Sequence, residues 1–513
     1  MKKDQYKIEI APQGRVVYAA EGDSLYTVLL VEGVLIPGSS SGDRVRLEKG
    51  SMSAAENAAA EEQVFTNAEL TEGWMLAAER RITGDAIIFL EDRDKNVAGM
   101  PLSDGYGMAV DAGTGTVAAG LVNMVGLNIP YLAATCNSQN KFGVDVAARQ
   151  MWLRNHPEDS EAMAQALSAD IDALASRLTL KAGIDPAEIK VLTIAANHYV
   201  GKFLLSGKNR QLHQVTQYSA GELGLREIAG DAKCYFLPDS TADIGSDTVA
   251  VCLSAELMTK KEQERYTILV DLGMNSEIIL AGRGRLLAAS VPTMPFEGAG
   301  ISCGAYGVTG AITRVFIDQD VMLRTVRDGK PTGLCGAGLI SAIHALLEAG
   351  MLDGEGRLLV DPELPERLAA RFKGTVSGRR FILSPGEEAE QDIYIDQDDI
   401  RQFQLAKGGV FAACQAVMAE VGITVSDIEQ ILLAESYGAH IRPVSALSVG
   451  LLPNIGVENI RSIGNGAWQG AYLALGNRLC LDETEKLAAA LERLDLSANM
   501  VFAESFMTAM NFV

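Results

Sequence analysis

No cysteine occurs in the first 135 residues of this 513-residue chain. The seven that follow, Cys136, Cys234, Cys252, Cys303, Cys335, Cys414 and Cys480, are scattered, odd in number and never spaced as CxxC. That excludes a disulfide framework and a cysteine zinc site, and predicts reduced, mostly buried thiols. The five histidines are equally dispersed, with no metal-ligand spacing. No run approaches the roughly 18 apolar residues of a membrane-crossing helix. The opening MKKDQYKIEIAP has no apolar targeting core, so a cytoplasmic location is expected. Positive charge is scarce: 44 Lys and Arg against 66 Asp and Glu leave a net charge of -22. Nucleic acid and anionic membrane surfaces, both polyanions, are therefore not expected as partners. A nucleotide needs only a local site and is not excluded.

The length suffices for roughly two to four domains. Residues 1–92 read as a small, mostly β unit. YKIEI and GRVVYAA predict a hairpin, SLYTVLLVEG a short apolar helix capped by Asp23 or Ser24, RVRLEKG a half-buried strand, and AIIFLEDR a closing strand. The small, polar SMSAAENAAAEEQVFTNAEL predicts a flexible excursion or short helices. The charged, turn-rich residues 93–105 predict a linker. From residue 106, glycine-punctuated apolar strands alternate with amphipathic helices such as DSEAMAQALSADIDALASRLTLKAG, an α/β pattern. This body contains an internal echo. YGMAVDAGTGTVAAGLVNM (106–124) and YTILVDLGMNSEIILAGRGRLLAASV (266–291) share one plan: an apolar strand ending in Asp, then x-Gly, a small polar turn and a second strand. A repeat at about 160 residues implies duplicated subdomains, drawn here at 106–262 and 263–478. Residues 479–513 predict a helix over ETEKLAAALERLDL and an apolar end that packs back on the body.

The echo is where chemistry is expected. VDAGTGT sets Asp111 at a strand end before Gly113, Thr114, Gly115 and Thr116. Backbone N–H groups and threonine hydroxyls in such a turn hold phosphate oxygens, and the carboxylate holds Mg²⁺ through water. A plain hairpin turn is the alternative. VDLGMNSE supplies Asp271, Gly273, Asn275 and Glu277, but its Met274 cannot donate a hydrogen bond to phosphate. Three glycine-rich segments follow: PFEGAGISCG with Gly298, GLCGAGLISAI with Gly336 and Gly338 opening a helix, and IRSIGNGAWQGA with Gly464 and Asn465 at a strand-to-helix turn. Glycine admits close approach of a ligand and a helix N-terminus favours an anion, while tight helix–strand packing explains each segment equally well alone. ILLAESYGAHIRP adds Glu435, Ser436 and Gly438 at another strand end. His198 and His440 read as packed or surface histidines and Cys303 and Cys335 as small space-fillers. Lys407 reads as a lysine of an amphipathic helix, and Trp74 and Met75 as core.

As an ordered set, YGMAVDAGTGTVAAGLV, VDLGMNSEIIL, PFEGAGISCG, GLCGAGLISAI, DIRQFQLAKGGV, LSVGLLPNIGVENIRSIGNGAWQGA and FMTAMNF resemble the ATP-dependent reductive activators of corrinoid proteins. The resemblance implies a β-grasp, ferredoxin-like domain before a duplicated actin-like (ribonuclease H-like) α/β ATPase body. It implies ATP and Mg²⁺ as cofactors, with Asp111 and Asp271 positioning the metal. The nucleotide would be lined by Gly113, Thr114, Gly115, Thr116, Gly273, Asn275, Glu277, Gly298, Gly336, Gly338, Gly438, Gly464 and Asn465. The implied partner is a corrinoid protein of a methyltransferase system, whose cob(II)alamin is reduced to cob(I)alamin.

The chain also departs from that family. The family's [2Fe–2S] cluster needs thiolate ligands; here the loop Gly38–Asp43 is serine-rich and Ala78 holds the last ligand position. No cluster is expected, so a separate donor such as a ferredoxin would supply electrons. The family's small middle domain is expected to be missing, since only residues 93–105 precede the first hairpin. Glu435-Ser436 replaces a Gly-Gly pair on the adenosine side. The competing expectation is a non-catalytic binding or regulatory protein of the same system, with a small-molecule kinase of the same superfold ranked last.

Overall fold

In the computed structural model, which describes residues 6–11, 15–19, 22–23, 25–31, 44–55, 58–90, 101–124, 128–208, 211–360, 364–374, 378–435 and 441–512, the period-two alternation of the N-terminal unit becomes a five-stranded sheet. β1 (Tyr6–Ala11) pairs antiparallel with β2 (Arg15–Ala19), as the hairpin reading predicts. α1 (Leu25–Val31) leads to β3 (Arg44–Met52), then to short helices α2 (Ala58–Val64) and α3 (Asn67–Thr71), β4 (Trp74–Leu76) and β5 (Ile82–Leu90). The strand order is β2-β1-β5-β3-β4, with β5 parallel to β1, a β-grasp arrangement. Leu25 and Leu29 of α1 close one core with Ile8, Ile10, Val17, Val45, Ile82 and Ile88, and Trp74 and Met75 are buried as expected. Glu61 is buried but satisfied by Arg80 Nε (3.0 Å) and the Leu76 N–H (2.9 Å), so no isolated charge is left in the interior. The serine-rich loop 38–43 and linker residues 93–100 lie outside the described residues.

From Tyr106 two sheets of one plan follow. β6 (Tyr106–Ala112), β7 (Thr116–Asn123) and β8 (Asn128–Cys136) form an antiparallel meander. α4 (Val146–Asn155) and α5 (Ser160–Ala182) lead to β9 (Ile189–Ala196), parallel to β6. α6 (His198–Leu205), β10 (Thr216–Ser219) and β11 (Lys233–Phe236) complete the order β10-β11-β9-β6-β7-β8, and α7 (Ser246–Ser254) and α8 (Leu257–Lys261) follow. β12 (Tyr266–Leu272), β13 (Asn275–Gly282) and β14 (Arg285–Pro292) repeat the meander. Two three-stranded sheets are inserted. β15 (Ala311–Ile317), β16 (Val321–Thr325) and β17 (Gly333–Leu334) make the first; after α9 (Gly336–Glu348) and α10 (Glu366–Ala369), β18 (Phe372–Lys373), β19 (Arg380–Ser384) and β20 (Ile393–Asp396) make the second. α11 (Gln397–Glu420) then leads to β21 (Ile428–Glu435), parallel to β12, and α12 (Pro443–Ser448) to β22 (Ile460–Gly464), parallel to β21. The echo in the sequence is therefore a repeat of topology. Central strands such as β6 are buried on both faces, which is why they read as continuous apolar runs.

The chain then crosses back. α13 (Gly466–Gly476) packs on the first sheet: Trp468 Nε1 donates to the Ala109 carbonyl (3.0 Å) and the Thr193 hydroxyl to the Ala471 carbonyl (2.7 Å). It passes α7 at a distance that only glycine allows, since a Cβ on Gly470 would lie 1.9 Å from the Ala250 carbonyl oxygen. α14 (Arg478–Ala490) ends six residues earlier than the sequence helix over 483–496 would require. Instead β23 (Glu492–Arg493) joins the edge of β14, where Arg285 pairs with Glu492 at 2.7 Å. α15 (Met500–Ala509) packs on α11, and Phe512 stacks on Phe403, so the apolar end does return to the body. Lys407 departs from the surface reading. It is wholly buried, donates to the Asn511 carbonyl, lies 5.1 Å from the Phe512 ring, and is pushed down to about 8 by burial.

The N-terminal unit rests on this body. Asp23 pairs with Arg324 of β16 at 3.5 Å, and a Cβ on Gly464 would lie 2.3 Å from the Tyr26 hydroxyl. One substitution at two sites tests the helix crossing. Gly470→Ala forces α7 and α13 apart and should lower stability by about 1–3 kcal/mol, the range for overpacking. Gly409→Ala in α11 meets nothing closer than 3.9 Å and should raise stability by up to about 1 kcal/mol through helix propensity. Chemical denaturation checks the pair; effects of the same sign would contradict the crossing.

Candidate functional site

Each meander delivers one aspartate to the carboxyl end of its first strand, the usual place for a ligand crevice in an open α/β sheet. These are Asp111 on β6 and Asp271 on β12. Asn465, the cap of α13, donates from Nδ2 to Asp111 (2.8 Å) and accepts from the Trp468 N–H (2.8 Å), so the return of α13 places an amide beside the first aspartate. Asp247 in the first turn of α7, Glu277 on β13 and Glu297 in the turn Met294–Glu297 complete an acidic cluster. Burial pushes Asp111 up to about 7, with Asp247 and Glu297 adding repulsion against the Asn465 bond. Asp271 lies well above the carboxylate range, first from burial and then from Asp247, Asp111, Glu297 and Glu435. Glu277 is raised in the same way by burial, Asp247 and Asp271, although the Ser290 hydroxyl donates to it at 3.0 Å.

The two hairpin turns flank Glu297. A Cβ on Gly115 would lie 2.3 Å from one Glu297 carboxylate oxygen and 2.5 Å from the Tyr306 ring; one on Gly273 would lie 3.7 Å from the other oxygen. Behind the first turn, Asn137 donates from its N–H to the Gly115 carbonyl and from Nδ2 to the Gly113 carbonyl, both at 2.9 Å. Arg149 of α4, wholly buried and pushed down to about 10 by burial, donates to the Thr114 carbonyl at 2.7 Å. Behind the second turn, the Thr293 N–H donates to the Met274 carbonyl (2.8 Å) and its hydroxyl to the Gly273 carbonyl (3.0 Å).

The structure therefore brings the two turns, with Gly113, Thr114, Gly115, Thr116 and Gly273, together with Asp111, Asp271, Glu277 and Asn465 around Glu297. Asn275 is exposed opposite Pro292. Gly298, Gly336 and Gly338 meet backbone: a Cβ would fall 2.2 Å from the Ala305 carbonyl oxygen, and 1.9 Å from those of Phe296 and Ile312 respectively. Gly464 faces Tyr26 with a left-handed φ of 65°. Ser436, Gly438 and His440 lie outside the described residues. Glu435 turns inward, accepting from the Ile441 N–H (2.9 Å) and the Ser462 hydroxyl, and is pushed up to about 7 by burial. His198 is neither surface nor merely packed: its Nδ1 lies 2.7 Å from Asp239, which also accepts the Ser246 N–H at 2.9 Å. Cys303 and Cys335 are buried with raised thiols, Cys335 to about 11, as space-fillers should be. Asp247, Glu297, Asn137, Arg149 and Thr293 escape the sequence reading. Only Glu297 stands in a segment already singled out, PFEGAG, as an acid directly before a glycine turn.

Comparison with known proteins agrees with this architecture. Residues 106–260 match the RACo middle region, and residues 265–513 match the C-terminal ASKHA domain of RACo. The expectation of a missing middle domain is thereby corrected, because that region is the first lobe itself. The corrinoid activation enzyme RamQ of Eubacterium limosum is 28% identical over 416 residues, covering 78% of this chain and 69% of that protein. The [Co(II) methylated amine-specific corrinoid protein] reductase of Methanosarcina barkeri is 24% identical over 349 residues, covering 60% of this chain and 58% of that protein. A solved structure of a reductive activator for corrinoid,iron-sulfur protein shares the fold over 99% of this chain and 98% of its own, with a TM-score of 0.72 at 22% identity. With adjoining matches running from the first hairpin to the C-terminal residue, the chain belongs to the RACo family.

Proposed function

We propose that this protein is an ATP-dependent activator of a corrinoid protein, assisting one-electron reduction of cob(II)alamin to cob(I)alamin with electrons from a separate donor. The observation that carries this reading is the pair of strand-end aspartates, one from each lobe, Asp111 buried and Asp271 half-buried, set beside two pinned turns. The relatives named for corrinoid activation and for Co(II) corrinoid protein reduction support it. The N–H groups of both turns and the hydroxyls of Thr114 and Thr116 hold phosphate oxygens. Asp111 and Asp271 would hold a Mg²⁺ ion through its water shell. The residues fit such a cation in their chemistry: they are carboxylates that repel one another. That suits an ion that keeps much of its hydration and shares phosphate oxygens. When bound, Mg²⁺ would neutralise phosphate and carboxylate charge together.

A [2Fe–2S] cluster does not fit the N-terminal unit, because the first cysteine of the chain is Cys136 and such clusters need thiolates. The electron therefore comes from another protein, a ferredoxin by its chemistry. The ATP-driven step in this chain is conformational, opening the partner so that its cobalt can be reached. The two aspartates and the complete first turn favour a working site over a non-catalytic scaffold.

Two outcomes are expected. With a corrinoid protein, Mg²⁺-ATP and reduced ferredoxin, the protein should convert the cob(II)alamin absorption spectrum to that of cob(I)alamin. Omitting ferredoxin or introducing Asp111→Ala should abolish the change; reduction without ferredoxin would contradict the external-donor reading. The second concerns stability without nucleotide. Asp111 binds its proton more tightly folded (about 7) than at its ordinary 3.8, so its contribution to stability falls as pH rises between those values. Asp111→Asn removes that loss and should raise Tm more at pH 8 than at pH 5; an equal shift at both would contradict it.

A further inference from the structure

We infer that Asn137 and Arg149 in the first lobe and Thr293 in the second are positioning residues that turn the N–H groups of the two hairpin turns toward phosphate. The inference rests on the nucleotide reading above and deepens it. In a trans peptide the carbonyl and the following N–H point in opposite directions. In the first turn three successive carbonyls are held from one side: Gly113 by Asn137 Nδ2 (2.9 Å), Thr114 by Arg149 (2.7 Å), and Gly115 by the Asn137 N–H (2.9 Å), with Asn140 Nδ2 at 3.5 Å. The N–H groups of Thr114, Gly115 and Thr116 are thereby sent to the other side, converging as an anion-binding nest. In the second turn Thr293 alone holds both carbonyls, Gly273 by its hydroxyl and Met274 by its N–H. The N–H groups of Met274 and Asn275 are turned out in the same way. The missing hydroxyl at Met274 is then of little consequence, because the donors are backbone.

The two clamps are one device, copied with the fold. Asn137 directly follows β8 and Thr293 directly follows β14. Each stands one residue beyond the strand partner of the residue that closes its turn, Cys136 opposite Thr116 and Pro292 opposite Asn275. The first turn is one residue longer, and the additional carbonyl, that of Thr114, is the one Arg149 takes. Arg149 also donates to the Gly143 carbonyl (2.9 Å), Gln139 (3.3 Å) and Asn140. A buried guanidinium is costly unless it is hydrogen-bonded, and these four bonds fix the turn and the segment that supports it.

The test separates affinity from stability in the full-length chain. Thr293→Val removes the hydroxyl at nearly constant volume; Thr293→Ser keeps it and loses a buried methyl. Calorimetric titration with Mg²⁺-ATP should show about tenfold weaker binding for Val, equivalent to about 1.4 kcal/mol. Ser should bind like the wild type despite a lower Tm. Arg149→Lys should also weaken binding. If Thr293→Val does not fold, Asn140→Ala, half-buried and bonded to Arg149, should weaken binding about threefold. Wild-type affinity in the Val variant, or loss of affinity in Ser in step with its Tm, would overturn the inference. A wild-type chain that takes up no Mg²⁺-ATP would instead overturn the nucleotide reading, and this inference with it.

Discussion

Like charge held out of water sets the terms for this molecule. Asp111 and Asp271 arrive from opposite lobes, and Asp247, Glu277 and Glu297 stand within electrostatic reach of them. Two unit charges 4 Å apart at an effective dielectric near 20 repel by about 4 kcal/mol, a large share of the roughly 5–15 kcal/mol that holds a domain folded. The lobes stay together because apolar packing surrounds the cluster. Trp468 is buried against the first sheet, the glycine-tight crossing of α7 and α13 locks the junction, and each lobe keeps its own core. Raised proton affinity relieves the repulsion. A cation with phosphate would relieve it as well.

Duplication explains why the site is two-sided. Each repeat brings a meander, an aspartate, a turn and a residue that pins the turn, and the longer first turn has acquired an arginine for its additional carbonyl. The N-terminal unit lies outside this symmetry. It keeps the β-grasp order and a seat on the body through Asp23 and Tyr26, while the chain offers no cysteine before Cys136. What persists there is a shape and an interface.

Much of this was legible in the sequence because it is local. Strand-end aspartates, glycine turns and the period of each element lie within a few residues of one another, and both hairpins and the strand-to-helix turn at Asn465 follow from them. What escaped depends on contacts across the fold. Arg149 reads as one more helical arginine until α4 packs behind Thr114, and Thr293 as the end of a strand until it meets Gly273. Lys407 has the spacing of a surface lysine, yet the C-terminal residues cover it. The glycines at 298, 336 and 338 suit either a ligand's approach or tight packing by their spacing, and each stands where backbone passes close to backbone. The strand at Glu492 was hidden because two residues have no periodicity, and only the open edge of β14 recruits them.

The central claim is that the acidic cluster takes nucleotide phosphate only together with a divalent cation. The most direct measurement is calorimetric titration of the wild-type protein with ATP, once with Mg²⁺ and once with a chelator. The account predicts binding at least about tenfold tighter with Mg²⁺, because phosphate without a cation adds its charge to carboxylates that already repel one another. Equal affinity in the two titrations, or tighter binding in the chelator, would contradict it.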